Sequence, residues 1–114
     1  MQNCIFCKLI DRQIPAEIVY ESDAVIGFKD INPQAPHHYL IIPKKHIPSI
    51  ISVTTEHAAL VSALVAAGNT IAADKGLVNR GFRLVVNHGP DAGQAVDHVH
   101  MHLIGGRKLS WPPG

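Results

Sequence analysis

At 114 residues the chain has room for one domain and not for two. Its 46% hydrophobic and 17% charged residues read as globular rather than disordered. Ten basic against nine acidic residues, a net charge of +1, exclude a large electrostatic footprint for duplex nucleic acid but leave room for a single nucleotide.

The opening Met1-Gln2-Asn3-Cys4-Ile5-Phe6-Cys7-Lys8 lacks the basic and long apolar regions of a signal peptide. The nearly apolar stretch Ala58–Gly68 is too short to cross a bilayer, so the chain reads as soluble and cytoplasmic, with no membrane partner. Ile5–Asp11 has helical spacing (Ile5 with Leu9, Phe6 with Ile10), and Pro15 closes it. Ile18–Tyr20 and Ala24–Phe28, separated by Glu21-Ser22-Asp23, predict a hairpin. Asp30–Pro36, with Pro33 and Pro36, is loop, and Tyr39–Ile42 is a strand stopped by Pro43.

One long helix follows. Thr54 is its expected N-cap, and Leu60, Leu64, Ala67 and Ile71 share a face. Lys75 and Gly76 end it, while Gly68 inside it costs about 1 kcal/mol relative to Ala, which packing must offset. Phe82–Val86 reads as a strand, Asn87–Gly93 as a glycine-bearing loop, and His98–Ile104 as a last strand broken by Gly105-Gly106. Short hairpin strands, one crossing helix and no β-α-β repeat predict an α+β fold with an antiparallel sheet.

The eight histidines stand out against three Phe, two Tyr and one Trp. In a strand His98, His100 and His102 share one face, while Val99, Met101 and Leu103 face a core. Such a ladder reads as a polar face, a metal site, or a nucleophile with neighbours that manage protons and charge. Spacing leaves the last two open. The preceding Asn87-His88-Gly89-Pro90-Asp91-Ala92-Gly93-Gln94-Ala95 offers accessible backbone N–H groups suited to phosphate oxygens, which favours phosphoryl chemistry. Cys4 and Cys7 lie three apart, a metal or redox pair rather than a structural disulfide.

Residues 98–104 satisfy the alternating His-φ-His-φ-His-φ-φ signature, with φ apolar, of the histidine triad (HIT) family, which the chain resembles over nearly its whole length. Ile14-Pro15, Asp30–Pro36, Ile42-Pro43-Lys44-Lys45-His46 and Gly105-Gly106-Arg107 match further blocks. The terminal Trp111-Pro112-Pro113-Gly114 is similar to the Hint branch, the purine nucleoside phosphoramidases. The resemblance implies one HIT domain over residues 1–114, a five-stranded antiparallel sheet with one long and one short helix, and a homodimer. It implies hydrolysis of the P–N bond of adenosine or guanosine 5′-phosphoramidates, or of acyl nucleotidates, releasing AMP or GMP. Hydrolysis of dinucleoside polyphosphates and a non-catalytic nucleotide-binding module are the alternatives.

By that resemblance His100 attacks phosphorus and forms a nucleotidyl-histidine. His102 and His38 bind phosphate or shuttle protons, and the His98 carbonyl fixes the nucleophile's tautomer. Asp30 binds ribose; Ile5, Phe6, Leu9, Phe28 and Ile31 form the base slot; Asn87, Gly93, Gln94 and Ala95 line the phosphate. Cys4, Cys7, His46 and His98 would hold a structural zinc, with no cofactor needed for the chemistry. Two positions depart from the family pattern: Ala95 stands where many Hint proteins carry serine, and Asp97 where an aromatic residue is usual. His37, His57 and His88 stay unassigned, His57 as a surface residue and His37 pointing away from His38.

Overall fold

The computed structural model describes residues 3–114; Met1 and Gln2, the start of the segment read for targeting signals, lie outside the described residues. Five strands form one antiparallel sheet: β1 (Ile18–Glu21), β2 (Val25–Lys29), β3 (His37–Pro43), β4 (Phe82–Val86) and β5 (Met101–Gly105), in the order β1-β2-β3-β5-β4. A short helix, α1 (Ile5–Ile10), precedes the sheet, and a long one, α2 (Ala58–Asp74), joins β3 to β4. This is the expected α+β architecture with one long and one short helix. Among the described residues no helix is long and apolar enough to cross a membrane.

Strand alternation sorts the apolar residues into two layers. Val25, Tyr39, Ile41, Met101 and Leu103 pack against Leu64, Ala67, Ile71 and Ala72 of α2. Ile26, Phe28, Leu40 and Ile42 face the other way, against Phe6 and Leu9 of α1. Gly68 lets α2 approach the sheet: a Cβ there would sit 3.1 Å from Leu84 Cδ2 and 3.3 Å from Ile41 Cδ1.

The ends of α2 follow from local chemistry. Thr54 caps a 3-10 turn, Thr55–His57, that runs into the helix, and His57 Nδ1 accepts the Thr54 backbone N–H at 3.0 Å. His57 is therefore the reciprocal half of a capping box, a role its surface position concealed. Gly76, at φ 72°, ends the helix: its N–H reaches Ala73 O and that of Leu77 reaches Ala72 O, the paired bonds of a Schellman motif. Helix α1 stops earlier than Pro15, because Arg12 turns to φ 62° and Gln13 N–H returns to Lys8 O at 2.8 Å.

Most strand bounds differ from the sequence reading by a residue, and two larger differences matter for the site. β3 begins at His37, which places His38 on the ladder opposite Ile104. β5 begins at Met101 rather than His98. Its last partners are Ile41 and Val86; β4 ends there, and β3 runs into Pro43, which has no N–H to extend the pairing. His98 and His100 thus precede the strand.

Candidate active site

His102 and His38 project from neighbouring strands on the α1 side of the sheet, with Leu40 opposite His102 in the register. His100 and His98 approach the same side from the segment before β5, and the Phe6 ring lies edge-on to both, 5.2 Å and 5.8 Å away. His37 points to the other face, where its Nδ1 meets Tyr39 Oη at 2.8 Å.

Hydrogen bonds fix the protons on these rings. His100 Nδ1–H donates to the carbonyl of His98 at 2.7 Å, which leaves the lone pair of a neutral His100 on Nε2. The Gln34 backbone N–H donates to His38 Nδ1 at 3.0 Å, so neutral His38 carries its proton on Nε2. That nitrogen lies 2.9 Å from His102 Nδ1 and 3.4 Å from Asp30 Oδ2. His102 Nδ1 accepts from it, and its own proton sits on Nε2. Burial, reinforced by His100 and His38, pushes the His102 pKa down to about 4, so the ring is neutral at pH 7. One imidazole offers a lone pair, and the ring beside it, 5.2 Å centroid to centroid, offers an N–H.

His98 has a different task. Its ring is fully buried, and Nε2–H donates to Pro43 O at 2.8 Å. Its Nδ1 lies 3.4 Å from Cys4 Sγ, 3.6 Å from Cys7 Sγ and 3.2 Å from His46 Nδ1, while Cys7 Sγ lies 3.3 Å from His46 Nδ1. A tetrahedral zinc has S···N edges of about 3.6 Å and N···N edges of about 3.3 Å, from bonds of about 2.3 and 2.05 Å. These four of the six donor–donor edges match that shell within a few tenths of an ångström, all four donors lie within 4.8 Å of one another, and the Pro43 carbonyl supplies the outer bond that aims the His98 lone pair inward. Both cysteines are free thiols.

The remaining site residues divide. Asp30 is partly buried, and its Oδ1 accepts the Asn32 N–H at 2.8 Å, leaving Oδ2 towards His38. Phe6, Leu9 and Phe28 are buried core residues, whereas Ile5 is half exposed and Ile31 wholly exposed. Of the five residues expected to form a base slot, three are therefore built into the core and two are exposed. Ile5 and Ala95 line a cavity of about 740 Å³ together with Cys4, His46 and Asp97.

In the loop, Gly89 and Gly93 both sit at φ 81°, as the turn reading required. The Gln94 side chain is used up internally: Oε1 accepts from Ser49 Oγ and Gly89 N–H, and Nε2 donates to Pro48 O and Val96 O. Gln94 thus shapes the loop without a free group for phosphate. His88 joins this pin, its Nδ1 2.7 Å from Ser49 Oγ. The contributions of Pro43 and Gln34 were missed because both act through backbone atoms, which carry no side-chain signal.

Against known proteins, the family model described as "Scavenger mRNA decapping enzyme C-term binding" matches residues 3–110. A HIT-like protein of Synechocystis is 50% identical over 113 residues, covering 99% of this chain and 98% of that protein. A 14 kDa zinc-binding protein of Brassica juncea is 43% identical over 114 residues, covering 98% of this chain and all of that one. The crystal structure of a HIT family hydrolase from Legionella pneumophila superposes with a TM-score of 0.96 at 46% identity, covering 98% of this chain and 100% of that chain. The chain belongs to the HIT family.

Proposed function

We propose that the protein is a hydrolase of the Hint type that cleaves the P–N bond of purine nucleoside 5′-phosphoramidates through a nucleotidyl-His100 intermediate. The observation that carries this reading is the His100 Nδ1–H bond to the His98 carbonyl, which commits the Nε2 lone pair to attack. Nε2 bonds to phosphorus as the P–N bond breaks, and the amine departs with one proton taken from solvent. The imidazolium so formed is stabilised through the same carbonyl. Water then attacks phosphorus, the His100–phosphorus bond breaks, AMP or GMP leaves, and one proton returns to solvent.

The His102 Nε2–H is suited to a phosphate oxygen, where charge builds in both steps. Asp30 and His38 keep His102 in that tautomer, and Asp30 would also bind ribose. Asn87, Gly93 and the Ala95 backbone would border the phosphate, and Ile5, Ile31 and the Phe6–Leu9–Phe28 floor would hold the base. Cys4, Cys7, His46 and His98 would hold zinc in a closed shell with no open position, so its contribution is structural. Adenosine 5′-phosphoramidate should release AMP, and His100→Ala should lose at least about 10³-fold in kcat/KM, the scale of removing a covalent nucleophile. Equal turnover by the variant would overturn the reading. We further propose a homodimer: β4 is an edge strand, and exposed Val86 and Val65 of α2 offer apolar surface. A monomer by light scattering at micromolar concentration would refute it.

A further inference from the structure

Resting on the phosphoramidase reading, we infer that the Cys4–Cys7–His46–His98 cluster is a redox-releasable clamp on the nucleophile. Oxidation of the two thiols by a hydroperoxide opens the cluster and loosens the hold on His100.

Besides the His102 ring at 5.2 Å, two contacts define the His100 ring: the His98 carbonyl on Nδ1 and the Phe6 ring, also at 5.2 Å. Both are delivered by backbone that the cluster pins. His98 is itself a donor of the cluster, and its side chain and carbonyl act on opposite sides of one residue. Phe6 lies between Cys4 and Cys7 in α1, so its position follows theirs. Two of the three contacts on His100 are therefore carried by residues anchored at the same four donor atoms. Without the cluster, the His98 ring keeps its bond from Nε2–H to Pro43 O and the edge of Phe6, its peptide keeps Val99 N–H to Ile47 O at 2.6 Å, and α1 keeps its apolar contacts, so the His98 side chain loses its anchor on the Nδ1 side.

Both thiols are reachable, as is His46. Cys4 lines the cavity of about 740 Å³, and Cys7 lines a second of about 400 Å³ with Lys8, Lys44 and His46. His98, in contrast, is fully buried. Cys4 caps α1, and its Sγ accepts the Cys7 backbone N–H at 3.4 Å, which brings the two side chains to one turn of chain. All four donor atoms lie within 4.8 Å of one another, so a disulfide needs a rotation of side chains and no rearrangement of the sheet.

The step balances. One cysteine thiolate attacks the outer oxygen of the hydroperoxide, the O–O bond breaks, and a sulfenic acid and an alcohol (water, from hydrogen peroxide) form with one proton from solvent. The second thiolate attacks that sulfur, the S–O bond breaks, and the disulfide forms as hydroxide leaves and is protonated. Two electrons pass from the thiolates to the peroxide. The donor set falls to two imidazoles, too few to close a tetrahedral shell.

The zinc-loaded full chain should be titrated with hydrogen peroxide under four readouts: intact mass, zinc release to a chromogenic chelator, the ring-nitrogen NMR signals of His100, and phosphoramidate turnover. Zinc should leave in step with loss of two hydrogens, and the ring nitrogens should move from one tautomer to a mixture. kcat should drop about tenfold or more with a smaller change in KM, the scale on which partners behind a first ligand act. A dithiol reductant with zinc should restore all four. Cys4→Ser/Cys7→Ser should be indifferent to peroxide, at the rate of the oxidised chain. Cys4→Ser alone, which keeps three donors and cannot form the disulfide, should resist the peroxide-driven loss.

The inference is overturned if zinc leaves while the His100 signals and rate stay unchanged, if Cys4→Ser loses rate on peroxide as wild type does, if the chain binds no zinc, or if oxidation unfolds the whole chain by circular dichroism. Absence of turnover in the untreated protein refutes the phosphoramidase reading instead, and the His100 signals then decide the clamp by themselves.

Discussion

His98 shows how much one residue can carry at this site. Its Nδ1 faces two sulfurs and a second imidazole, its Nε2–H binds Pro43 O, and its carbonyl fixes His100. A side-chain substitution at His98 therefore acts on the cluster first and on His100 at second hand. His102 is the opposite case, a neutral ring whose value lies in staying neutral. Because burial lowers its pKa from the ordinary 6.5 to about 4, the unfolded chain takes up a proton between those values that the folded chain refuses. Stability should fall as pH drops through 6.5 and stop falling on this account below about 4. Urea titrations from pH 7.5 to 4 should show the slope shrinking in His102→Gln; an unchanged slope would contradict the assignment. His38→Ala should leave the fold in place and release His102 to either tautomer, with kcat falling more than KM rises in steady-state assays.

Among the elements, α2 and β5 show what the sequence conveys and what it withholds. The apolar face Leu64–Ala67–Ile71 and the Gly76 stop were legible, because caps and helical periodicity are local, whereas Thr54, expected to cap the long helix, caps the 3-10 turn that leads into it. The two-residue alternation correctly separated Met101 and Leu103 from His102. The start of β5 was not legible, because it depends on where two other strands end, and Pro43 terminates one of them fifty-eight positions earlier in the chain. Gly68 was recognisable as a cost, but its purpose required the distances to Leu84 and Ile41. Gly68→Ala should gain about 1 kcal/mol of helix propensity and lose about 1–3 to overpacking, a net loss of about 1 kcal/mol in denaturant unfolding. A stabilised variant would show that the helix can lift away without penalty.

At the scale of the whole molecule, the cluster ties the N-terminal segment to the residues that follow β3 and to the residues before β5, three parts of the chain up to 94 positions apart. The resemblance to the family named those donors and the triad; the residues by themselves left metal and nucleophile unresolved. Proton positions were out of reach until Gln34 N–H and His98 O were placed, since a tautomer is set by partners and not by spacing. Chelation of zinc should therefore lower Tm by about 10 °C, equivalent to roughly 2–3 kcal/mol for a domain of this size, and added zinc should restore it. Calorimetry with and without chelator checks this, and identical melting curves would remove zinc from the account.

The central claim is a covalent bond at one nitrogen. Rapid acid-free quenching during turnover of adenosine 5′-phosphoramidate, followed by mass spectrometry, should find one adenylyl group on His100, decaying at the rate of AMP release and absent from His100→Ala. AMP release without that adduct, or an adduct on His102 or His38, would contradict it.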